Sequence, residues 1–278
     1  MSYKQYVPDT SEDWDTYWNQ TSILKELTIV KTDGLNPIFT KYLKKKGINL
    51  EAGCGLGKWV ISLQQQGYNV LGCDTYVKGL MKLKQHDSHL QLLGADVANM
   101  GLKPNSIDAY ISLGVVEHFE EGPQRPLKEA FRIVKPGEIA LIEVPFDSIL
   151  RRVTRNLFNL KVLLKSPIRI LVETLGLRPP RKLPKMKFYE YRYTQAELTS
   201  FVTEAGFELL ELLPKDDLAP DRSIMLWSDY LWMRHSDGQL FHLNPTGQTI
   251  KRILDFITPF TYSALIIAIC RKPNNKNT

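Results

Sequence analysis

Short apolar segments alternate with segments of helical periodicity between residues 36 and 145. Strands are predicted at Ile48–Ala52, Asn69–Cys73, Leu90–Gly94, Ile107–Leu113 and Glu138–Val144. Helices are predicted between them at Lys58–Gln66, Val77–Lys84 and Arg125–Val134. Strands that alternate with helices favour right-handed crossovers, and therefore a parallel sheet with helices on both faces.

The alternation stops after Pro145 and resumes near Thr194. Thr194 with Glu197 three residues later is a capping-box pattern, which predicts a helix that starts there and ends at Gly206. Further along the chain, strands are predicted at Phe207–Leu213 and Ser263–Arg271, and a helix around Thr249–Ile257. We therefore expect one domain over residues 1–278 with insertions at 147–190 and 214–260, the first of them a helical lid.

The charge of the chain is concentrated in the first insertion. The 278 residues include 36 Lys and Arg against 30 Asp and Glu, which gives a net charge of +6 and a pI near 9.0. Between Arg151 and Arg192 there are twelve basic and two acidic residues, a net charge of +10 that leaves −4 for the rest. This distribution argues against a chain that binds nucleic acid over its whole surface.

The apolar content, the charged content and the cysteines limit which class of protein this is. An apolar content of 43% and a charged content of 24% are ordinary for a globular protein. The three cysteines, Cys54, Cys73 and Cys270, form no CxxC pair, so we expect free thiols in a reducing compartment. No signal peptide or spanning segment is visible, and a cytoplasmic location is expected, with peripheral contact at a membrane surface as the open alternative.

A glycine-rich turn follows the first predicted strand of the alternating region. Glu51 precedes Gly53, Gly55 and Gly57, and a helix begins directly afterwards. Such a turn brings backbone N–H groups close to a ligand at a helix N-terminus. The dinucleotide fingerprint needs a further glycine where this chain has Lys58, which disfavours a nicotinamide-dependent oxidoreductase.

The turn and four later motifs resemble the class I S-adenosylmethionine-dependent methyltransferases, in a type 11-like subgroup. The motifs are LEAGCGLGKWV with GYNVLGCD, then GADV, IDAYISLGVVEHF, EAFRIVKPGEIALIEVP and YTQAELTSFVTEAGF, in the order of that family. The resemblance implies an α/β fold. Its sheet is mostly parallel, seven-stranded and Rossmann-like, with helices on both faces and an antiparallel final strand. It also implies S-adenosylmethionine as cofactor.

The resemblance implies roles for the residues that match these motifs. Asp74 would accept the ribose hydroxyls, Asp96 and the Val97 N–H would contact adenine, and Glu51 would face the cationic amino end of the methionine part. The other cofactor-binding candidates are Gly53, Gly55, Gly57, Leu113, Tyr17 and Trp18. Alternatives stay open: Asp74 as a turn residue, Glu51 as a cap for the glycine turn, Asp96 as a surface aspartate and the N-terminal aromatics as packing.

Candidate residues for the acceptor side are fewer. His118 is a candidate general base because imidazole titrates near neutral pH, and a capping role is the alternative. Tyr189, Tyr191 and Arg192 are acceptor-site candidates, against ordinary packing. We predict no metal site, because His86 and His89 have no further ligands nearby in the sequence.

Residues 149–170 have the pattern of a basic amphipathic helix. Such a helix suits a lid over the acceptor, contact with an anionic membrane, or packing with a solvated basic face. Nucleic-acid binding is disfavoured because the helix is aliphatic, with Phe158 its one aromatic residue. The Trp-rich stretch within 214–260 could cover the acceptor or form a homodimer face.

We therefore expect methyl transfer from S-adenosylmethionine to oxygen or carbon of a small-molecule or lipid-like acceptor. One alternative is a nucleic-acid or protein methyltransferase, which commonly carries an N-P-P-Y-like turn where this chain has Leu113–Val116. Another is a non-catalytic S-adenosylmethionine-binding module, which would lack one of the motif residues, whereas this chain has them all.

Overall fold

The computed structural model describes residues 2–9, 14–30, 33–174, 184–216 and 219–274, with the side chains of residue 15 and of 162–174 left out. The strands in these ranges are β1 (Tyr3–Pro8), β2 (Ile48–Ala52), β3 (Asn69–Asp74), β4 (Gln91–Gly94), β5 (Ile107–Leu113), β6 (Val134–Pro145), β7 (Met186–Arg192), β8 (Glu208–Lys215) and β9 (Leu265–Arg271). The α-helices are α1 (Trp14–Asn19), α2 (Ile23–Val30), α3 (Leu35–Tyr42), α4 (Lys58–Gln65), α5 (Val77–His86), α6 (Gln124–Ile133), α7 (Ile149–Thr174), α8 (Gln195–Glu204), α9 (Ile224–Asp229) and α10 (Pro245–Ile257).

Seven strands form one sheet in the order β4-β3-β2-β5-β6-β9-β8. The first five run parallel to one another, and β9 is antiparallel to both of its neighbours. One face is covered by α3, α4 and α5 through residues such as Phe39, Trp59 and Leu83, and the other by α6 and α8 through Leu127 and Val202. The predicted α/β class, the mostly parallel sheet and the antiparallel final strand are confirmed.

Most predicted boundaries agree with the structure to within a few residues. Thr194 and Glu197 form a complete capping box, in which each side chain bonds the backbone N–H of the other. The largest differences are four residues: β6 begins at Val134 rather than at the predicted Glu138, because Val134 pairs with Ile107 of β5, and α10 begins at Pro245 rather than at Thr249.

A second, two-stranded sheet was not predicted. β1 pairs antiparallel with β7, from Tyr3 opposite Arg192 to Pro8 opposite Met186. The two strands are separated by most of the chain, so no local pattern indicated the pairing. This ribbon brings the N-terminal segment, and α1 behind it, to the edge of the main sheet where the parallel strands end.

The first insertion consists largely of one helix that is held to the body at its start. The Arg151 guanidinium is buried, donates to Asp229 at 2.8 Å, and also donates to the carbonyls of Phe146 and Ala264 at 3.0 Å. Arg155 forms a bidentate pair with Asp147, and its guanidinium lies 4.1 Å from the centre of the Tyr3 ring.

The second insertion folds into a satellite cluster on the first. Its buried members are Met225, Leu226, Met233, Leu243, Tyr262 and Ala264, and Leu150 of α7 packs against them. The Arg151–Asp229 pair therefore joins the two insertions at the point where both leave the sheet.

Replacement of Arg151 by methionine should lower the free energy of unfolding by about 3 kcal/mol, because the substitution leaves the partly exposed Asp229 carboxylate and two buried carbonyls without their donor. Urea unfolding measures this change. The matched control is Arg152→Met on the neighbouring exposed position, which should change stability by less than about 0.5 kcal/mol. Equal stability of the two variants would contradict the structural role of Arg151.

Candidate functional site

Two adjoining cavities open at the carboxyl ends of the parallel strands. The first, called the cleft, has a volume of about 350 Å³, and the second, called the chamber, about 510 Å³. They share the lining residues Trp14, Trp18, Gly53 and Gly114. Open α/β sheets bind ligands at this edge, so the two cavities form one candidate site.

The glycine turn forms the wall between β2 and α4. Gly53, Gly55 and Gly57 all have positive φ, at 80°, 53° and 64°. A Cβ on Gly53 would lie 2.3 Å from the Val115 side chain, and one on Gly55 would lie 2.5 Å from the Trp18 ring. Only glycine fits at both positions, because both the backbone conformation and the space exclude a side chain.

Asp74 ends β3 and fixes the turn. One carboxylate oxygen accepts the Gly55 N–H at 2.7 Å, and the other accepts the Tyr76 N–H at 2.8 Å. Asp74 also lines the cleft. Asp74 can therefore hold the turn and also accept a hydrogen bond from a ligand, since each carboxylate oxygen has a second lone pair.

Asp96 and Val97 line the cleft on the β4 side, together with Phe119. One oxygen of Asp96 accepts the Ala98 N–H at 2.8 Å, so the carboxylate is held in an Asx turn at the rim. The structure thus brings the two residues predicted to contact adenine to the same cavity as Asp74.

Glu51 lines the chamber side of the site and is almost fully buried. Burial raises its pKa to about 8, while the nearby Lys58 ammonium opposes the shift. Within the described part of the chain, its Oε2 atom has no hydrogen-bond partner. A buried acceptor without a partner is costly, and a cationic ligand group at this position would satisfy it.

The N-terminal aromatic residues roof both cavities. Trp18 lines the cleft and the chamber, Tyr17 lines the chamber, and the two rings meet edge to face at 4.9 Å. Trp14 lines both cavities and was not predicted as a site residue. The sequence signal was available, since WDTYW places three aromatic residues on a single short helix.

His118 lies in a 3-10 turn after β5 and lines the cleft. Its Nδ1 is 2.7 Å from the Tyr189 carbonyl, which can only accept, so Nδ1 carries the proton in the neutral ring. Burial lowers the pKa of His118, although the Tyr189 carbonyl and Glu190 oppose the shift. The ring also meets Trp14 edge to face at 4.8 Å.

Of the three predicted acceptor-site residues, only Tyr189 lines the chamber, where its ring stacks on Trp14. Tyr191 and Arg192 are engaged elsewhere. The Tyr191 hydroxyl donates to the Glu120 carbonyl at 2.8 Å, and its ring stacks on Tyr193. The Arg192 guanidinium is 3.5 Å from Glu190. Tyr191 thus holds β7 to the loop at Glu120, whereas Arg192 pairs within β7, and neither residue lines the chamber.

A buried ion cluster at the far side of the chamber was missed by sequence reasoning. The Lys215 ammonium lies 2.9 Å from Asp33 and 2.8 Å from Glu143, and all three line the chamber. Burial lowers the pKa of Lys215, but the two carboxylates outweigh it and the net shift is upward. The signal was a charged residue at the carboxyl end of each of two apolar strands, β6 and β8.

The predicted lid can be compared with the cavities only over its first part. None of Ile149–Lys161, whose side chains are described, lines the cleft or the chamber. The lid therefore stays a prediction for the remainder of the insertion. A search of the described residues for groups of His, Cys, Asp and Glu that could hold a metal finds none.

Comparison with known proteins agrees with this geometry. A family model described as a methyltransferase domain matches residues 50–142, the region of the glycine turn, Asp74, Asp96 and His118. A probable S-adenosylmethionine-dependent methyltransferase of Mycolicibacterium smegmatis is 24% identical over 164 residues, 59% of this chain and 53% of that protein. A probable tRNA methyltransferase 9B of Mus musculus is 31% identical over 108 residues, 38% of this chain and 23% of that protein.

Solved structures share the fold over almost the whole chain. An S-adenosylmethionine-dependent methyltransferase of Methanosarcina mazei superposes with a TM-score of 0.53 at 17% identity, covering 87% of this chain and 99% of that one. One from Archaeoglobus fulgidus has a TM-score of 0.54 at 13% identity, covering 94% and 100%.

The chain spans about half the length of its Mycolicibacterium relative and less than a quarter of the mouse one. The matched segment nevertheless holds the strands and turns that form the cleft. The family match over residues 50–142, the relatives and the sheet order support a class I S-adenosylmethionine-dependent methyltransferase domain, for which S-adenosylmethionine is the cofactor.

Proposed function

We propose that the protein transfers a methyl group from S-adenosylmethionine to a small-molecule or lipid-like acceptor held in the chamber. The observation that carries this proposal is the shared wall of the two cavities, formed by Trp14, Trp18, Gly53 and Gly114. Because the two cavities adjoin, a cofactor in the cleft and an acceptor in the chamber can come into contact without passing through solvent. A volume of about 510 Å³ is typical of a site for a small organic molecule.

The residues of the cleft, together with Glu51 on the chamber side of the shared wall, fit the cofactor. Asp74 would accept the ribose hydroxyls with its free lone pairs, and Asp96 with the Val97 N–H would hold the adenine. Glu51, whose buried Oε2 lacks a partner among the described residues, would accept the ammonium of the methionine part. The cofactor supplies a methyl group activated by a positively charged sulfur, so the chain needs to orient the acceptor and exclude water.

The aromatic roof suits that task. Trp14, Tyr17, Trp18 and Tyr189 bring four rings to the chamber. Aromatic faces stabilise a nearby cation and are poorly hydrated, so they support a sulfonium and keep water out. Leu113, an apolar residue at the end of β5, lines the same cavity.

His118 is the residue best suited to accept a proton from the acceptor. Its Nδ1 is engaged with the Tyr189 carbonyl, which leaves Nε2 as a hydrogen-bond acceptor in the neutral ring. Its lowered pKa keeps the ring neutral at physiological pH. For an oxygen acceptor we propose His118 as general base.

The far end of the chamber supports a largely apolar acceptor with polar substituents. Ile224, Leu240, Phe241 and Leu265 line it beside the Lys215 ion cluster. Phe241 has a φ of 66°, which costs a bulky residue about 1–2 kcal/mol, and its ring packs edge to face on Trp227. Strain retained at a cavity wall is common where a side chain positions a ligand.

A tRNA acceptor is the second candidate, because several relatives are named as tRNA methyltransferases. Their match spans 108 residues, 38% of this chain, with the motifs of the donor site. In the described part of the chamber the two lysines, Lys58 and Lys215, both face carboxylates. Cations committed to carboxylates are poorly suited to phosphate contacts, so a small molecule is favoured.

The experiment that tests the acceptor class is transfer of labelled methyl from S-adenosylmethionine to pools of lipids, quinone precursors, sugars and tRNA. We expect label in one of the first three. The Phe241→Ala variant should then raise the acceptor KM at least about tenfold, with unchanged affinity for the cofactor product S-adenosylhomocysteine. Label in tRNA alone would overturn the proposal.

Replacement of Asp74 by alanine should weaken S-adenosylhomocysteine binding at least about tenfold, because two charge-assisted hydrogen bonds to the ribose are lost. Isothermal titration calorimetry measures the affinity. Asp87→Ala is the matched control, since Asp87 also accepts a backbone N–H, from His89 at 2.8 Å, but does not line the cleft. Unchanged affinity in Asp74→Ala would remove the ribose assignment.

The ionisation of Glu51 predicts two pH effects. Its pKa is about 8 in the folded protein and about 4.5 in its ordinary range, so the ligand-free fold binds this proton more tightly than the unfolded chain. The stabilisation of the fold that the Glu51 proton provides is complete below about pH 4.5, and it is lost as the pH rises through about 8. Binding of an ammonium requires the carboxylate, so affinity for S-adenosylhomocysteine should rise with pH up to about 8.

Glu51→Gln tests both effects. Thermal melts of the ligand-free variant should show higher stability than the natural chain at pH 8 and a flatter profile between pH 5 and 8. The pH dependence of S-adenosylhomocysteine affinity should disappear. Identical profiles for variant and natural chain would exclude Glu51 as the group that meets the ammonium.

A further inference from the structure

One face of α7 exposes an apolar stripe. Ile149, Val153, Leu157 and Leu160 each leave about half of their side-chain area accessible, between 48% and 53%. They are spaced by four, four and three residues, so they lie along one side of the helix. A row of this length on a solvated helix marks a surface with a partner.

The stripe faces away from the body of the protein. Successive residues of an α-helix are rotated by about 100°, which puts the stripe on the side opposite to Arg151 and Arg155. Those two arginines make the contacts that fix the helix to Asp229 and Asp147. From Asn156 to Lys161 every side chain is exposed, so the helix leaves the body there.

Cations border the stripe on both sides. Arg152 lies next to one edge and Lys161 next to the other by the same rotation, and both are exposed. An apolar stripe between two cationic borders is the pattern of a helix that lies in the plane of an anionic lipid surface. A protein groove would not require cations on both sides.

The neighbouring α10 carries a similar surface. Ile253, Phe256 and Ile257 are exposed, Phe256 at 93%, and Arg252 beside them is exposed as well. The two helices are joined through the satellite cluster, because Leu150 of α7 and Ile250 and Leu254 of α10 all pack against its buried members. Thirteen of the twenty large exposed apolar side chains in the described residues lie on the two insertions.

We propose that the protein docks on anionic lipid membranes through the outward stripe of α7, assisted by the exposed apolar end of α10. None of the described helices is long and apolar enough to cross a bilayer, so the helix lies at the interface. The stripe is aliphatic, which disfavours a single-stranded nucleic acid as occupant, since stacking needs aromatic rings. The proposal is independent of methyl transfer.

The test is co-sedimentation of the full chain with vesicles of phosphatidylcholine, with and without phosphatidylglycerol. We expect binding only to the anionic vesicles, and weaker binding as salt is raised. The double variant Val153→Glu and Leu157→Glu should lose at least about tenfold in vesicle affinity, because it puts charge into the apolar stripe. Arg152→Glu should reduce binding to anionic vesicles through its charge alone.

Met81→Glu is the matched control, an equally exposed apolar position on α5, and it should bind vesicles like the natural chain. Stabilisation by S-adenosylhomocysteine in a thermal melt shows that each variant is folded. Absence of binding by the natural chain, or equal binding by the double variant, would overturn the proposal. So would a dimer in light scattering that the double variant converts to monomer, or binding of tRNA instead of vesicles.

Discussion

The hydrogen bonds between the Asp74 carboxylate and the two backbone N–H groups of Gly55 and Tyr76 constrain the site more than any other contact. They join the end of β3 to the turn after β2, and the Cys73 carbonyl adds bonds from Gly53 and Cys54. The backbone must turn with positive φ to make these contacts. Glycine is therefore required where a Cβ would strike Val115 or Trp18. The shape of the cleft follows from these hydrogen bonds between the end of β3 and the turn after β2.

The same glycine turn explains how the N-terminal segment contributes to the site. Trp18 rests where a side chain on Gly55 would be, so the missing Cβ admits an indole from a distant part of the chain. The ribbon of β1 and β7 carries that segment to the sheet edge, and the His118 contact to the Tyr189 carbonyl ties the ribbon to the turn after β5. The cleft and the chamber wall at Tyr189 are therefore coupled through the His118 contact as well as through the Trp14 and Trp18 side chains that line both cavities.

The sequence was most informative where structure depends on neighbours in the chain. The parallel strands, the Thr194 capping box and the glycine turn follow from local periodicity and local backbone chemistry, and they were predicted closely. Trp14 and Lys215 left a local signal in the sequence, but their meeting at one chamber and the β1–β7 pairing depend on contacts between distant segments, which no local pattern contains. Tyr191 shows that closeness in sequence to a site residue is not enough: it lies two residues from Tyr189 but does not line the chamber.

The charge of the first insertion divides into two parts with different consequences. Arg151 and Arg155 are committed to Asp229 and Asp147, which lie in or beside the satellite cluster and the end of β6, so these charges stabilise the attachment of α7. Arg152 and Lys161 are exposed on the outer side of the same helix. A net charge of +10 counted along a segment therefore overstates what a partner can meet. Over Ile149–Lys161, where the side chains of α7 are described, what remains outward is a narrow band of cations with an apolar stripe between them. Such a band suits the surface of an anionic membrane far better than it suits the phosphate backbone of a nucleic acid.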